Sequence, residues 1–498
     1  MFLNNVLTIR YEILISVSII VLLCILGYLF KSSRRNFPPG PWGLPIVGYI
    51  PFLSKDAHLQ FINLAKKYGH VFSLRLGSEN VVVLNDTASI RDAFAKQEFL
   101  GRPPNNSYSV FGTKKPFLLN DMAMWQEHRR FVIHSLKDLG LGRTKIEEQM
   151  QDEIKHFQEV LKSFKGQPID LAARFTPSMS NNINTLIFGK RYDYDDPERK
   201  TLDENLDEIS KISGQTATHI FFPWIKRVPF LLNWLGFEKG FKLFKVSEEI
   251  FRKQVEEHKK TLDRKIIRDF IDSYLVEMEH RENKQEKTSL GDEELVGLVT
   301  GLFSASTEIV RVSIEWLMYT MASFPDVQKK VQKEIFDVLG PERNPEYRDQ
   351  KSMPFTHSVI LEVMRWKSVV ALNVLRYTIA DTNVVGYDIP AGTIVMANFW
   401  AVHHDPRHWK DPENFEPERF LASDGKSIVK SPHYMPFSIG KRACPGEIMA
   451  NMEVFLYFVS ILQKFDVHFP DGYMPDFKGI HSVIYKPPSA EIRFIPKN

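Results

Sequence analysis

Residues 436–453, PFSIGKRACPGEIMANME, constrain this chain more tightly than any other stretch. They place Phe437, Gly440, Cys444 and Gly446 in the spacing F-x-x-G-x-x-x-C-x-G, which Ala450 and Glu453 extend. Cys444 is one of only two cysteines among 498 residues. A disulfide scaffold is therefore excluded and a reducing compartment expected. Lys441 and Arg442 precede the thiol and a helical pattern comes after it, and both features favour a thiolate. Pro445 suits a first helical turn, and EIMANMEVFLYFVSILQKF carries apolar residues at helical spacing. The glycines would let backbone come close to a flat, bulky ligand on the sulfur. A lone cysteine at a loop-to-helix junction is also compatible with a small buried apolar residue.

Near the N-terminus, residues 13–30 are an uncharged run of 18 residues, close to the length that spans a hydrocarbon core of about 30 Å. Lys31, Arg34 and Arg35 come directly after it, where a cleavage site would want small neutral residues, so a retained signal-anchor is expected. The same charges place the body on the cytosolic side. FPPGPWGLPIVGYIP, residues 37–51, excludes regular helix and interior strand. GHVFSLRLGSENVVVLND predicts a β-hairpin turning at Gly77-Ser78. Residues 103–121 read as a loop. Trp125 and Arg129 are four apart, on one helical face. Residues 144–290 are largely helical by pattern, while the polar run 280–294 reads as low in order. Aromatic residues alternate with Lys226 and Arg227 in residues 219–237, which suits either a membrane interface or a proline-broken core helix. Residues 294–325 form a long apolar helix interrupted by Ser304, Ser306, Thr307 and Glu308. That cluster suggests a groove or bound ligand, or hydroxyls bonded to the preceding turn. Glu362 and Arg365 suit an i,i+3 ion pair. A net charge of +3 gives no argument for nucleic-acid binding, and composition is that of an ordinary globular protein.

The cysteine stretch resembles the haem-binding signature of the cytochromes P-450. So do the W-x-x-x-R of Trp125 and Arg129, the E-x-x-R of Glu362 and Arg365, and the P-E-R-F that contains Arg419, all in that family's order. The resemblance spans the chain and looks most like microsomal animal members. It implies a mainly α fold with small β-sheets, preceded by one transmembrane helix. Residues 1–30 would be the anchor, 31–51 a basic, proline-rich hinge, and 52–498 one haem-thiolate catalytic domain. Cys444 would be the axial ligand of haem b, set among Phe437 and Gly446. Trp125, Arg129, Arg376 and Arg442 would hold the propionates, and Glu362, Arg365 and Arg419 a buried structural network. Glu308 and Thr307 would lie at the reaction. Phe111, Ser304, Ala305, Ile309, Val370 and Ile484 would line an apolar pocket. Where the family pattern A-G-x-E-T-T has its second-last threonine, this chain has Ile309. The function implied is monooxygenation of a lipophilic small molecule, such as a steroid, fatty acid or xenobiotic. Electrons would come from an NADPH-dependent flavoprotein reductase, with a b-type cytochrome as a further donor. Residues 128–145 and Lys441 would provide the basic docking face. The location implied is the endoplasmic reticulum membrane, with residues 219–237 as a second contact. A haem-thiolate isomerase or dehydratase, and a haem protein without turnover, are the other classes that fit.

Overall fold

The computed structural model describes residues 36–104, 122–140, 144–216 and 218–497. The proposed anchor at 13–30 and most of the loop at 103–121, including Phe111, lie outside them.

The hairpin forms where alternation predicts it. β1 (Val71–Leu76) pairs antiparallel with β2 (Glu79–Leu84), turning at Gly77, whose φ is 57°. α1 (Ala57–Tyr68) leads into the hairpin and α2 (Thr87–Ala95) leads out of it. The proline-rich segment does not hang free but lies on β1. Ser73 donates from its N–H to Pro39 O (2.8 Å) and from its hydroxyl to Pro38 O (2.7 Å). A Cβ at Gly40 would sit 1.8 Å from Ser73 O, so only glycine permits that approach.

The helical body comprises α3 (Met122–Asp138), α4 (Thr144–Ser163), α5 (Leu171–Phe188), α6 (Pro197–Thr216), α7 (Phe237–Thr261), α8 (Phe270–Asn283), α9 (Asp292–Ser323), α10 (Pro325–Leu339) and α11 (Pro354–Lys367). After α11 come the small strands β4 (Arg376–Tyr377), β5 (Thr382–Val384), β6 (Tyr387–Ile389) and β7 (Ile394–Ala397), and the short α12 (Phe399–His403). A final helix, α13, runs from Glu447 to Lys464. β3 (Pro168–Asp170) joins β8 (Phe465–His468) and β11 (Glu491–Pro496) in one sheet, while β9 (Ile480–His481) pairs with β10 (Tyr485–Lys486). β7 completes the first sheet in the order β1-β2-β7-β4.

At about 1.5 Å per residue, the 32 residues of α9 reach about 48 Å and organise the body. Three acidic residues in its first turn complement the helix dipole, and Pro325 marks the start of the next helix. α9 is apolar enough to cross a membrane, yet most of its side chains are buried, so it is a core helix here. α5 and α13 pack against it. In α13 Phe455, Leu456, Tyr457, Phe458 and Val459 are successive and fully buried, so the helix is covered on every side.

The polar run at 280–294 corrects the expectation of low order. Its ends belong to α8 and α9, and Glu127 grips the coil between, accepting from Thr288 Oγ1 (2.6 Å) and Ser289 N–H (2.9 Å). Composition alone could not reveal a carboxylate arriving from α3.

Candidate active site

The cysteine loop is a tight turn held by its own backbone. Cys444 N–H donates to Phe437 O (2.9 Å) and Ala443 N–H to Gly440 O (3.0 Å). Gly440 has φ 77°, and a Cβ there would lie 2.3 Å from Phe94 O. The helix begins at Glu447, so Pro445 precedes the cap at Gly446 and is not in the first turn. Phe437 is partly buried against the main core.

Cys444 is exposed by surface area, yet protein packs densely enough around it for burial to push its thiol up. The two observations agree for a sulfur that opens on an enclosed space. The upward direction corrects the expectation of a thiolate favoured by its neighbours. Lys441 is exposed and Arg442 is turned aside, while Glu447 opposes ionisation. The Gly446 N–H and Arg129 pull the other way without prevailing. A cationic metal on the sulfur would supply the missing charge.

Around this loop the fold gathers guanidinium groups from four separate segments. Arg129, on α3, donates from Nη2 to Ala443 O (2.7 Å), with its Cζ 5.9 Å from the Trp125 ring. Trp125 is buried, so the two are not a surface pair. Arg442 lies 3.8 Å from the same ring and donates from Nε to Leu100 O (3.0 Å). Arg376, on β4, sits 4.3 Å over Phe94. Arg102, which sequence reasoning missed, donates to Leu375 O (2.6 Å). Its flanks, Gly101 and two prolines, carry no spacing that would have marked it.

Burial, followed by mutual repulsion, draws Arg376 and Arg442 down to about 8 and Arg102 to about 10. Among the described residues, Arg376 Nη1 and Arg102 Nε are buried without a hydrogen-bond partner. Buried cations need anions. A ligand with two carboxylates, planar enough to lie beside the glycines and presenting a metal to the thiol, fits this donor set.

The central helix presents a different face. Ala305 is exposed in the middle of an otherwise core helix, with Ile309 one turn on and partly buried. Ser304, Ser306 and Thr307 donate to the carbonyls of Thr300, Leu302 and Phe303 (2.8, 2.7 and 3.0 Å). These hydroxyls satisfy themselves and demand no ligand. Thr307 is buried, and Glu308 is engaged by Lys486 and Ser210. Val370 is partly buried and Ile484 fully so; Tyr485 N–H bonds Val369 O (2.8 Å), which brings their two segments together.

Behind the loop lies the charge network. Glu362 accepts from Arg365 Nε (2.7 Å) and Nη2 (2.8 Å) and from Arg419 Nε (3.0 Å). Arg365 and Glu362 are both 0% exposed. Arg365 Nη1 also donates to His403 O (2.6 Å). Burial and that guanidinium push His403 down to about 3, so its ring is neutral. Its Nε2 accepts from Met435 N–H (3.0 Å), just before the cysteine loop, and Nδ1 meets Ser368 Oγ (2.7 Å). The histidine is a structural relay, and nothing in the local sequence HHDPRHW, residues 403–409, signals that alone.

A family model described as Cytochrome P450 matches residues 38–494. Cytochrome P450 2J2 of Homo sapiens is 34% identical over 481 residues, covering 94% of this chain and 93% of that protein. Cytochrome P450 18a1 of Drosophila melanogaster is 32% identical over 502 residues, covering 97% and 91%. Cytochrome P450 2U1 of Homo sapiens is 33% identical over 484 residues, covering 90% and 88%.

Proposed function

Because this chain belongs to the cytochrome P450 family, and so is a haem-thiolate monooxygenase, we propose that it oxygenates a lipophilic small molecule. Steroids, fatty acids and xenobiotics are the candidate classes. Electrons come from an NADPH-dependent flavoprotein reductase, with a b-type cytochrome as an additional donor. The observation that carries this reading is the set of buried and half-buried arginines beside the Cys444 loop, two of them against the Trp125 ring.

Cys444 would hold the iron of haem b, and Trp125, Arg102, Arg129, Arg376 and Arg442 would meet its carboxylates. When bound, the thiolate-ligated haem would supply cleavage of the O–O bond of O2, so that one oxygen atom enters the substrate and the other leaves as water with two electrons and two protons. Phe437 and the loop backbone keep Cys444 in place. Ala305, Ile309 and Val370 offer an apolar wall, which selects a lipophilic substrate and keeps bulk water out. Arg130, His134, Lys137 and Lys441 are exposed and supply the basic face for the reductase. Titration of the purified protein with a lipid and steroid library, read by the substrate-induced spin-state change, tests the substrate class. A library without any responder would overturn it.

Ile309 has no hydroxyl to organise a proton donor. Reductase-supported turnover is therefore expected to release peroxide, and Ile309→Thr to raise the product formed per electron consumed. Robust conversion without reductase would point to an isomerase instead.

The body also carries an apolar patch suited to the endoplasmic reticulum membrane, with the catalytic domain in the cytosol. Residues 218–234 are a chain of short helical turns whose inner side chains, Ile220, Phe222 and Ile225, are buried. Phe230 and Trp234 face outward at 76% and 75% exposure. The proline-rich segment meets the same turn, since Gly77 N–H bonds Val47 O and Ser78 N–H bonds Phe221 O. Its Trp42 and Ile46 are exposed as well. Protein lacking residues 1–30 should keep its haem and some vesicle binding. Phe230→Ala with Trp234→Ala should cut that residual binding by about thirtyfold or more, since two buried rings together contribute at least on the order of 2 kcal/mol. Unchanged flotation of the double variant would remove this surface from the proposal.

A further inference from the structure

Glu308 is tied to two elements besides its own. Its Oε1 lies 2.5 Å from Lys486 Nζ on β10 and accepts from Ser210 Oγ on α6 at 2.8 Å. Arg311, on the same helix, stands 3.8 Å away but is engaged by Glu315, with Asp207 of α6 adding to its negative surroundings. The Glu308 and Lys486 side chains are 14% and 24% exposed, so the pair is partly shielded from solvent.

The position of the Lys486 backbone is dictated by rigid neighbours. Trp316 of α9 donates from Nε1 to Tyr485 O (2.9 Å), and the two rings stack at 5.8 Å with an interplanar angle of 14°. Tyr485 N–H bonds Val369 O (2.8 Å) on the other side, and Pro487 and Pro488 stiffen the chain just beyond the strand. The strand therefore holds the Lys486 backbone within reach of Glu308. Successive positions on a helix differ by about 100°, so the carboxylate leaves α9 on a different flank from Ile309.

We propose that Lys486 is a positioning residue that draws Glu308 into a tie across α6, α9 and β10. The acid thereby joins three elements and does not serve as a proton source beside Ile309. This deepens the oxygenation reading for proton supply, but the tie itself is independent of it. The groups facing Glu308 are Ser210 from α6, Lys486 from β10, and Arg311 on α9, with Asp207 and Glu315 beyond.

The test uses the full-length, haem-loaded protein. In Lys486→Met, hydrogen exchange should quicken by about tenfold in residues 197–216 and 480–488, because local opening loses a shielded ion pair. Lys486→Arg should stay near wild type, and Glu308→Gln should match Lys486→Met without adding to it in the double variant. Unchanged exchange in Lys486→Met, or additive effects, would overturn the tie. The second readout is the fraction of electrons lost to peroxide at one fixed pH. Lys486→Met frees the Glu308 carboxylate, so this fraction should change by about twofold, and Lys486→Met/Glu308→Gln should lack that change. The same change in the double variant, or none in Lys486→Met, would overturn the positioning role. Absence of reductase-supported turnover in wild type would instead defeat the oxygenation reading and leave the exchange result to decide the tie.

Discussion

Replacing Cys444 with serine abolishes the red-shifted absorption band that the reduced, carbon monoxide-treated protein gives when thiolate is the axial ligand. The loop itself should survive. Its turn is made by backbone bonds from Cys444 N–H and Ala443 N–H, and its tightest approach depends on Gly440, none of which uses the sulfur. Serine is close in size and removes only the soft donor that iron prefers. Thermal unfolding of the variant should thus fall little in the haem-free state, while haem retention and the band are lost together. A variant that keeps the band would require another sulfur ligand, and the only other cysteine is Cys24.

Arg365→Met should be the most damaging single change to the body. It removes both charged hydrogen bonds to Glu362 and the bond to His403 O, leaving Glu362 at 0% exposure with Arg419 as its remaining cation. Breaking a buried pair from one side costs about 3–5 kcal/mol, against a total stability of about 5–15 kcal/mol. The damage also travels, because His403 receives the Met435 N–H at the start of the cysteine loop. Little soluble haem-loaded protein is expected, and what remains should unfold well below wild type. Glu362→Leu/Arg365→Met, which strands no carboxylate, should recover part of the loss. Equal unfolding temperatures for wild type and Arg365→Met would mean that the network contributes nothing to stability.

Much of the site was legible because its signals are local. Trp125 and Arg129 are one helical turn apart, Glu362 and Arg365 nearly so, and Gly440, Cys444 and Gly446 share one turn. Spacing along a helix or loop determines which side chains can meet. Arg102, His403 and Lys486 could not be found this way. Each meets partners far along the chain, and none sits in a pattern that its neighbours repeat. The segment at 280–294 is similar: its composition is that of an unordered linker, and only Glu127 arriving from α3 makes it a fixed coil.

The sequence by itself therefore determined the order of elements, the hairpin, the core helices and the cysteine turn, since periodicity and turn chemistry act over a few residues. Tertiary structure decided what the charges do, because burial and through-space neighbours set that and neither is written in spacing. Lys441 and Arg442 adjoin Cys444 in sequence but do not lower its thiol, whereas burial raises it. Glu308 stands beside Ile309 in the chain, yet Lys486 and Ser210 claim its carboxylate from two other elements.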